Sequence, residues 1–419
     1  MGVCRVLGWC RVAFGAAFLC GAVAGCDELA VDGADGSFDR DAGPVDAAPA
    51  IDARPPEDLD GFVEWQMDAG GLPGVAAGLV VDGEIAFVGT WGYADVENER
   101  PVADDTLFVV ASVSKLFTAV PVMRLVEEGM LDLDVPTGEA FDFPIAHPGF
   151  PDDDITTRRL LTHTSGMVDA WITLGETTYS GDPPIDLGDF ARGYAQPGGE
   201  YYQGSNFGPE PGTDWEYCNA AFAVAAHLAE LGWGEDFRAL SERMIFEPLA
   251  LQDTGWHFQD IDESKLAVLY TYNTPRDSFV PLEQVNYAHY PAGGLRSSIR
   301  DLLRYAQAWL NLGELDGQRF LAEETVQTML RQQVPDLSAR QGLVLRYDVV
   351  NGNTYVGHSG AGIGGSANFL MLPGSNAALI VVTNGDAYVR ARLGMTAGRE
   401  AFEAILARME EELQDRMTP

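Results

Sequence analysis

The run Thr106-Leu-Phe-Val-Val-Ala-Ser-Val-Ser-Lys-Leu-Phe-Thr-Ala119 decides how the whole chain reads. Ser112 and Lys115 stand in it as S-x-x-K, and an apolar pattern continues to about Leu131. A helix from Ser112 to Glu128 puts residues three apart on one face, so the Lys115 ammonium lies over the Ser112 hydroxyl. That is a nucleophile beside its base. The positive end of the helix dipole favours the alkoxide that develops there. So short a pattern is commonly only a solvated lysine near a capping serine. Composition weighs against that here, because lysine occurs only at 115 and 265 while the other 24 of the 26 basic residues are arginines. Arginine cannot give up its proton to act as a base.

With 419 residues and 46% hydrophobic side chains, the chain can bury a large core as one big domain or two lobes. Its net charge of -37 argues against nucleic acid and anionic lipid surfaces as partners, since both would repel it. Cys4, Cys10, Cys20 and Cys26 crowd the start and leave Cys218 alone, so the mature chain has no partner for an intramolecular disulfide. Cys218 reads as a small buried residue without a chemical role. Neither H-E-x-x-H nor C-x-x-C occurs, and neither a metal nor another cofactor is expected.

Residues 1–25 read as an export signal, with Arg5 and Arg11 ahead of an apolar run from Val12 to Ala24 that is too short to span a bilayer. Val23-Ala24-Gly25-Cys26 resembles a bacterial lipobox, which makes Cys26 the lipid-bearing first residue of an envelope lipoprotein on the periplasmic or surface side. Ordinary cleavage after Ala22-Val23-Ala24 is the competing reading. Residues 26–57 are rich in Asp, Ala, Pro and Gly, cannot offset their ordering entropy by burial, and read as a flexible spacer.

The folded part, residues 58–417, begins with an amphipathic helix over Glu57 to Asp68. Val75–Val81 and Ile85–Gly89 flank Asp82-Gly83, a two-residue hairpin signal. Pro121 should kink the Ser112 helix, for no reason the sequence supplies. Residues from about 150 to 310 read as helices and long loops. Strands are expected again over Leu343–Val350, Thr354–Gly357, Asn368–Leu372 and Ala378–Val382, then one helix from Arg390 to Arg416. The simplest assembly is an α+β fold. One antiparallel sheet, from residues 58–105 and 320–417 and flanked by helices, takes an all-helical lobe of residues 106–319 as an insertion.

Two further clusters carry chemistry. Tyr217-Cys218-Asn219 opens an apolar helix after an aromatic loop, and His358-Ser359-Gly360 falls in the strand-rich third. Gly360 to Gly365 matches the dinucleotide pattern G-x-G-x-x-G, but a strand-like run stopped by Pro373 follows where a helix is required. Gly357 to Ala361 approaches the G-x-S-x-G elbow yet ends in alanine and lacks the helix too, leaving Ser359 a secondary nucleophile candidate.

With Ser112/Lys115, Tyr217/Asn219 and His358-Ser359-Gly360 in this order, the sequence resembles the penicillin-recognising serine hydrolases. The likeness is greatest to the class C β-lactamase-like group with its DD-peptidases and esterases. L-L-T-H-T-S-G-M at 160–167, P-G-T-D-W-E-Y-C-N at 211–219, F-E-P-L-A-L-Q-D-T at 246–254 and A-G-G-L-R-S-S at 292–298 strengthen it. The resemblance covers Asp58 to Met417 and implies an acyl-enzyme mechanism. In it Ser112 attacks a carbonyl, Lys115 and Tyr217 move its proton, Asn219 and the 358–360 strand hold substrate, and the N–H groups of Ser112 and Ala361 receive the oxyanion. A neighbouring ammonium would depress the Tyr217 pKa enough for a base.

The third motif departs from the lysine form usual in β-lactamases. An unperturbed His358 keeps its charge only below about pH 6.5, so peptide or ester substrates come ahead of β-lactams. The expectation is a membrane-anchored serine hydrolase of an amide or ester bond. A catalytically idle envelope binding module is the alternative, distinguished by forming no covalent adduct with a serine-directed probe.

Overall fold

Helix α1 (Leu59–Gly70) is capped by Asp58, whose carboxylate accepts from Gly61 N at 2.9 Å, and it stops at Gly71 in the left-handed conformation. The hairpin of β1 (Gly74–Val81) and β2 (Glu84–Asp95) turns through Asp82 (φ 53°) and Gly83 (φ 82°), both positive as a type I′ turn needs. A short β3 (Arg100–Pro101) follows. The computed structural model describes residues 54–418. The expected signal, most of the spacer and Cys26 lie outside the described residues.

After the inserted region the chain returns as β4 (Arg346–Val350), β5 (Asn353–Gly362), β6 (Gly365–Leu372) and β7 (Ala377–Thr383). The seven strands form one antiparallel sheet in the order β4-β5-β6-β7-β1-β2-β3. The N-terminal hairpin therefore closes against the last strand, with Val75 opposite Thr383.

Helix α2 (Ser114–Glu127) lies buried under this sheet, with α3 (Ala220–Trp233) and α4 (Ile299–Leu310) packed nearby. On the other face, α1 joins α5 (Ala387–Arg392) and α6 (Ala397–Met417). Alternation along β1 serves both layers. Val75, Ala77 and Leu79 meet α1 and α6, while Ala76 and Val80 meet the inner helices. Such two-sided cover explains why β1 reads as a continuous apolar run.

Several expectations need correction. The first strand of the return starts at Arg346 rather than Leu343, because Val344 takes φ 73° and breaks the extended chain while remaining buried. Strand β5 runs on to Gly362 through glycines that look like a turn. A Cβ at Gly360 would sit 2.2 Å from Val110 O, so its bareness lets the strand pass close to the Ser112 turn. The terminal helix is two helices, parted near Gly394 (φ 83°).

The inserted region is not all-helical. It holds short strand pairs, among them Leu269–Asn273 with Ser278–Leu282 and Thr178–Ser180 with Val285–Tyr287. Strands this short give little two-residue periodicity to detect. Helix α4, assigned by sequence to that lobe, packs on β1 and β7 instead.

Pro121 does not break α2. Its carbonyl accepts from Trp233 Nε1 at 3.1 Å, and Tyr305 donates to Leu116 O at 3.0 Å, so side chains from α3 and α4 clasp the helix.

Candidate active site

Ser112 lies in a 3-10 turn, Ala111–Val113, immediately before α2, rather than at the first residue of the α-helix. Ala111 takes φ 46°, a left-handed conformation that costs a residue with a Cβ of order 1–3 kcal/mol. The surroundings hold it there. A Cβ placed at Gly360 or Gly362 would come within 3.3 and 3.2 Å of the Ala111 Cβ. Val113 N also closes the turn on Val110 O at 3.2 Å, and Val110 N bonds Leu295 O at 3.1 Å. Helix α2 carries its polar groups satisfied, since Ser114 Oγ accepts from Leu295 N and Thr118 Oγ1 donates to Pro291 O.

Lys115 is fully buried. Its ammonium nitrogen is 3.2 Å from Ser112 Oγ, 2.7 Å from Asn219 Oδ1 and 2.6 Å from Ala292 O. Burial pulls its pKa down to about 7, against the opposing pull of the Asp169 carboxylate. Tyr217 donates to the same Ser112 Oγ at 2.8 Å, and the lysine nitrogen is 4.9 Å from the Tyr217 ring centre. Ser112 and Tyr217 both keep some exposure, so the cluster opens to solvent on their side.

The other end of Asn219 is also occupied. Its Nδ2 donates to Asp169 Oδ2 at 2.7 Å, while Asp169 Oδ1 accepts from Asn219 N (2.8 Å), Ala220 N (3.0 Å) and Cys218 Sγ (3.5 Å). Asn219 thus spans the lysine and a carboxylate, although the sequence placed it on the substrate. Asp169 retains some surface as a residue, but donors surround its carboxylate. Burial raises its pKa and the three N–H donors oppose that. Cys218 is buried, and the same burial and carboxylate push its thiol pKa up, leaving it protonated.

His163, of the T-H-T-S-G turn, stacks on Tyr217 with ring centres 4.3 Å apart and accepts from Cys218 N at 3.1 Å. Burial, then Lys115, lowers its pKa well below the usual value, so the ring is neutral.

The third motif divides between the two faces of β5. His358 and Gly360 share the inner face with Val356, and Ser359 lies on the outer one with Tyr355. His358 is 2% exposed, donates from Nδ1 to Ser359 O at 2.7 Å, and has an enclosed Nε2 without a hydrogen-bond partner. A second proton on that ring would find no acceptor. Burial first, then Lys115 and Arg346, takes its pKa to about 3. His358 is therefore uncharged at neutral pH, contrary to the expectation that it titrates near 6.5.

Ser359 Oγ donates to Asn368 Oδ1 at 2.8 Å, and Asn368 Nδ2 donates to the Tyr388 hydroxyl at 3.0 Å. That chain runs towards α5, away from Lys115. Ala361 keeps partial exposure at the end of β5, one residue beyond the glycine pressed onto Val110.

Sequence reasoning missed Asp169, Ala292 and His289. Asp169 stands just past a quoted motif, with nothing local to mark it among 63 acidic residues. Ala292 acts through a backbone carbonyl, which no side chain announces. His289 is buried near the lysine, and burial followed by Lys115 lowers its pKa to about 3.

A Ser-Lys-Tyr cluster at the head of a buried helix, set against the glycine-rich end of an antiparallel strand, is the site of the penicillin-recognising serine hydrolases. The beta-lactamase family profile matches residues 59–401, and the chain belongs to that family. It is 31% identical over 303 residues to the esterase EstB of Burkholderia gladioli, covering 65% of this chain and 73% of that one. It is 28% identical over 239 residues to penicillin-binding protein 4* of Bacillus subtilis, covering 54% and 50%. Several curated relatives are longer proteins, of which the chain spans about half. Among solved structures, the D-amino acid amidase of Ochrobactrum anthropi SV3 superposes with a TM-score of 0.66 at 21% identity, covering 86% of this chain and 100% of that one. That likeness is one of fold.

Proposed function

We propose that the chain cleaves an uncharged ester or amide through an acyl-enzyme on Ser112. The observation that carries this reading is the coordination of Lys115. A neutral amine has two hydrogens and one lone pair; with Asn219 Oδ1 and Ala292 O taking the hydrogens, the lone pair is left for Ser112 Oγ. Ser112 then attacks the carbonyl carbon as its proton passes to Lys115. The Tyr217 hydroxyl, on the same oxygen, relays a proton to the departing alcohol or amine. The N–H groups of Ser112 and Ala361 stabilise the oxyanion, and water releases the acyl group by the reverse path.

The substrate class follows from charge. β-Lactams and D-alanyl peptides present a carboxylate to the third motif, where His358 offers no charge and Lys115 is spent on its own ligands. The esterase among similar proteins supports a neutral ester. Export and lipidation at Cys26 belong to this proposal on the sequence motif alone. Replacing Cys26 by Ser should then release the protein from membranes or block its processing.

The test is labelling with a fluorophosphonate, read by intact mass, and a substrate screen of neutral esters, uncharged N-acyl amides and a chromogenic cephalosporin. One adduct per chain and turnover of the neutral substrates are expected. A chain that takes no adduct is a binding module, and the hydrolase reading fails.

A further inference from the structure

Asp169 is no part of the three motifs, yet its carboxylate gathers Asn219 N, Ala220 N, Asn219 Nδ2 and Cys218 Sγ. Two of these are backbone N–H groups at the start of α3, a 14-residue helix whose positive end favours an anion. A residue 50 positions away thereby pins the Tyr217–Asn219 segment to the helix.

The decisive contact is with the Asn219 amide. With its lone pair given to Ser112, Lys115 offers Asn219 only an N–H, and a carboxylate only accepts, so a single orientation of the amide satisfies both. Oxygen faces Lys115 at 2.7 Å and nitrogen faces Asp169 at 2.7 Å. Without the carboxylate nothing holds that orientation, and the flipped amide would turn its N–H groups on Lys115. The lysine hydrogen now committed to Asn219 would be free to compete for Ser112.

We infer that Asp169 is a positioning residue for the proposed acylation, which fixes Asn219 so that the lone pair of Lys115 is aimed at Ser112. The inference rests on the acyl-enzyme reading.

Other titratable groups around Lys115 do not supply this. His163, His289 and His358 face it from the turn after residue 161, the segment before Ala292 and β5, and all three are neutral. The Cys218 thiol is kept protonated, and Tyr217 is occupied with Ser112. Arg346 acts on His163 and His358. Asp169 is the carboxylate that acts on the lysine.

The experiment follows the rate of fluorophosphonate labelling of the full-length protein against pH, in wild type, Asp169→Asn and Asp169→Glu. Labelling needs neutral Lys115 and so rises with pH along an acid limb. Asp169→Asn removes a negative charge beside the ammonium, so the limb should move to lower pH by on the order of one unit. Its plateau should fall about ten- to a hundredfold as the amide loses its hold. Asp169→Glu keeps the charge on a longer arm, so its limb should stay near wild type while the plateau falls. A role confined to stability would lower the melting temperature and leave both limb and plateau per folded molecule unchanged, which overturns the inference. If Asp169→Asn does not fold, the glutamate variant decides, and a wild-type plateau there overturns it. A wild-type protein that takes no phosphonate overturns the acyl-enzyme reading and this inference with it, whereas labelled wild type with unmoved variants overturns this inference alone.

Discussion

Lys115 Nζ stands 3.2 Å from Ser112 Oγ with two fixed carbonyl-type acceptors on its other sides, so the pair is aligned for proton transfer before any substrate arrives. Ser112→Ala should abolish the phosphonate adduct with the fold intact by circular dichroism. Lys115→Arg keeps a cation and donors but offers no base, and should slow labelling by about 10²- to 10⁴-fold. Ser359→Ala should still be labelled, because its hydroxyl points to Asn368 on the other face of the sheet. An adduct lost in Ser359→Ala but retained in Ser112→Ala would reverse the assignment.

The pKa of Lys115 gives two pH dependences of the same sign. Labelling should rise with pH through about 7 as the amine becomes neutral, provided Ser112 is the group being phosphonylated. Stability should rise too. Between about 7 and 10.5 the unfolded chain still binds the lysine proton that the folded chain has released, so ΔG of unfolding increases with pH in that window. Urea melts at pH 7 and 9 check this. In Lys115→Met the lysine's share of that increase should vanish, and an unchanged slope would show that the lysine titrates normally in the fold.

Ser112/Lys115 was legible because its geometry is local, two residues three apart at the head of one helix. The Asp82-Gly83 hairpin was legible for the same reason. Asp169, Ala292 and the clasp on Pro121 were not, since Asp169 meets partners 50 residues away in sequence and the other two act through backbone carbonyls paired across more than a hundred. The glycines from 360 to 365 divide their work: Gly364 (φ 63°) does turn the chain, as their composition suggests, while Gly360 and Gly362 allow the close passage of a strand beside Val110 and Ala111. His358 misled through burial, which no motif reports.

Helix α2 should be a main support of stability. Phe117 is fully buried, stacks on Tyr305 with ring centres 3.9 Å apart and meets Phe246 edge-on. Phe117→Ala should cost about 3–5 kcal/mol by removing the ring and leaving a cavity. Denaturant unfolding followed by tryptophan fluorescence measures it. A loss below about 1 kcal/mol would mean the surrounding helices collapse into the space.

His358 provides the sharpest test of substrate charge. Were the ring to titrate near 6.5, a carboxylate substrate would gain a charge-assisted hydrogen bond of about 1.5–3 kcal/mol at pH 5 and lose it by pH 8. Its kcat/KM relative to that of a neutral ester would then fall across the range. The structure predicts otherwise. Burial, the ammonium of Lys115 and the guanidinium of Arg346 hold the His358 pKa at about 3, so the imidazole is neutral throughout. Because Lys115 and Tyr217 act on both substrates alike, the ratio removes the pH dependence of that shared machinery, and it should be flat from pH 5 to 8. His358→Lys should raise the ratio only at a cost. A second ammonium in the same pocket would lower the melting temperature and depress Lys115 further, moving the acid limb of labelling to lower pH. A wild-type ratio that falls about tenfold between pH 5 and 8 would show that His358 charges when substrate binds, and would restore carboxylate-bearing amides, β-lactams included, to the front of the substrate order.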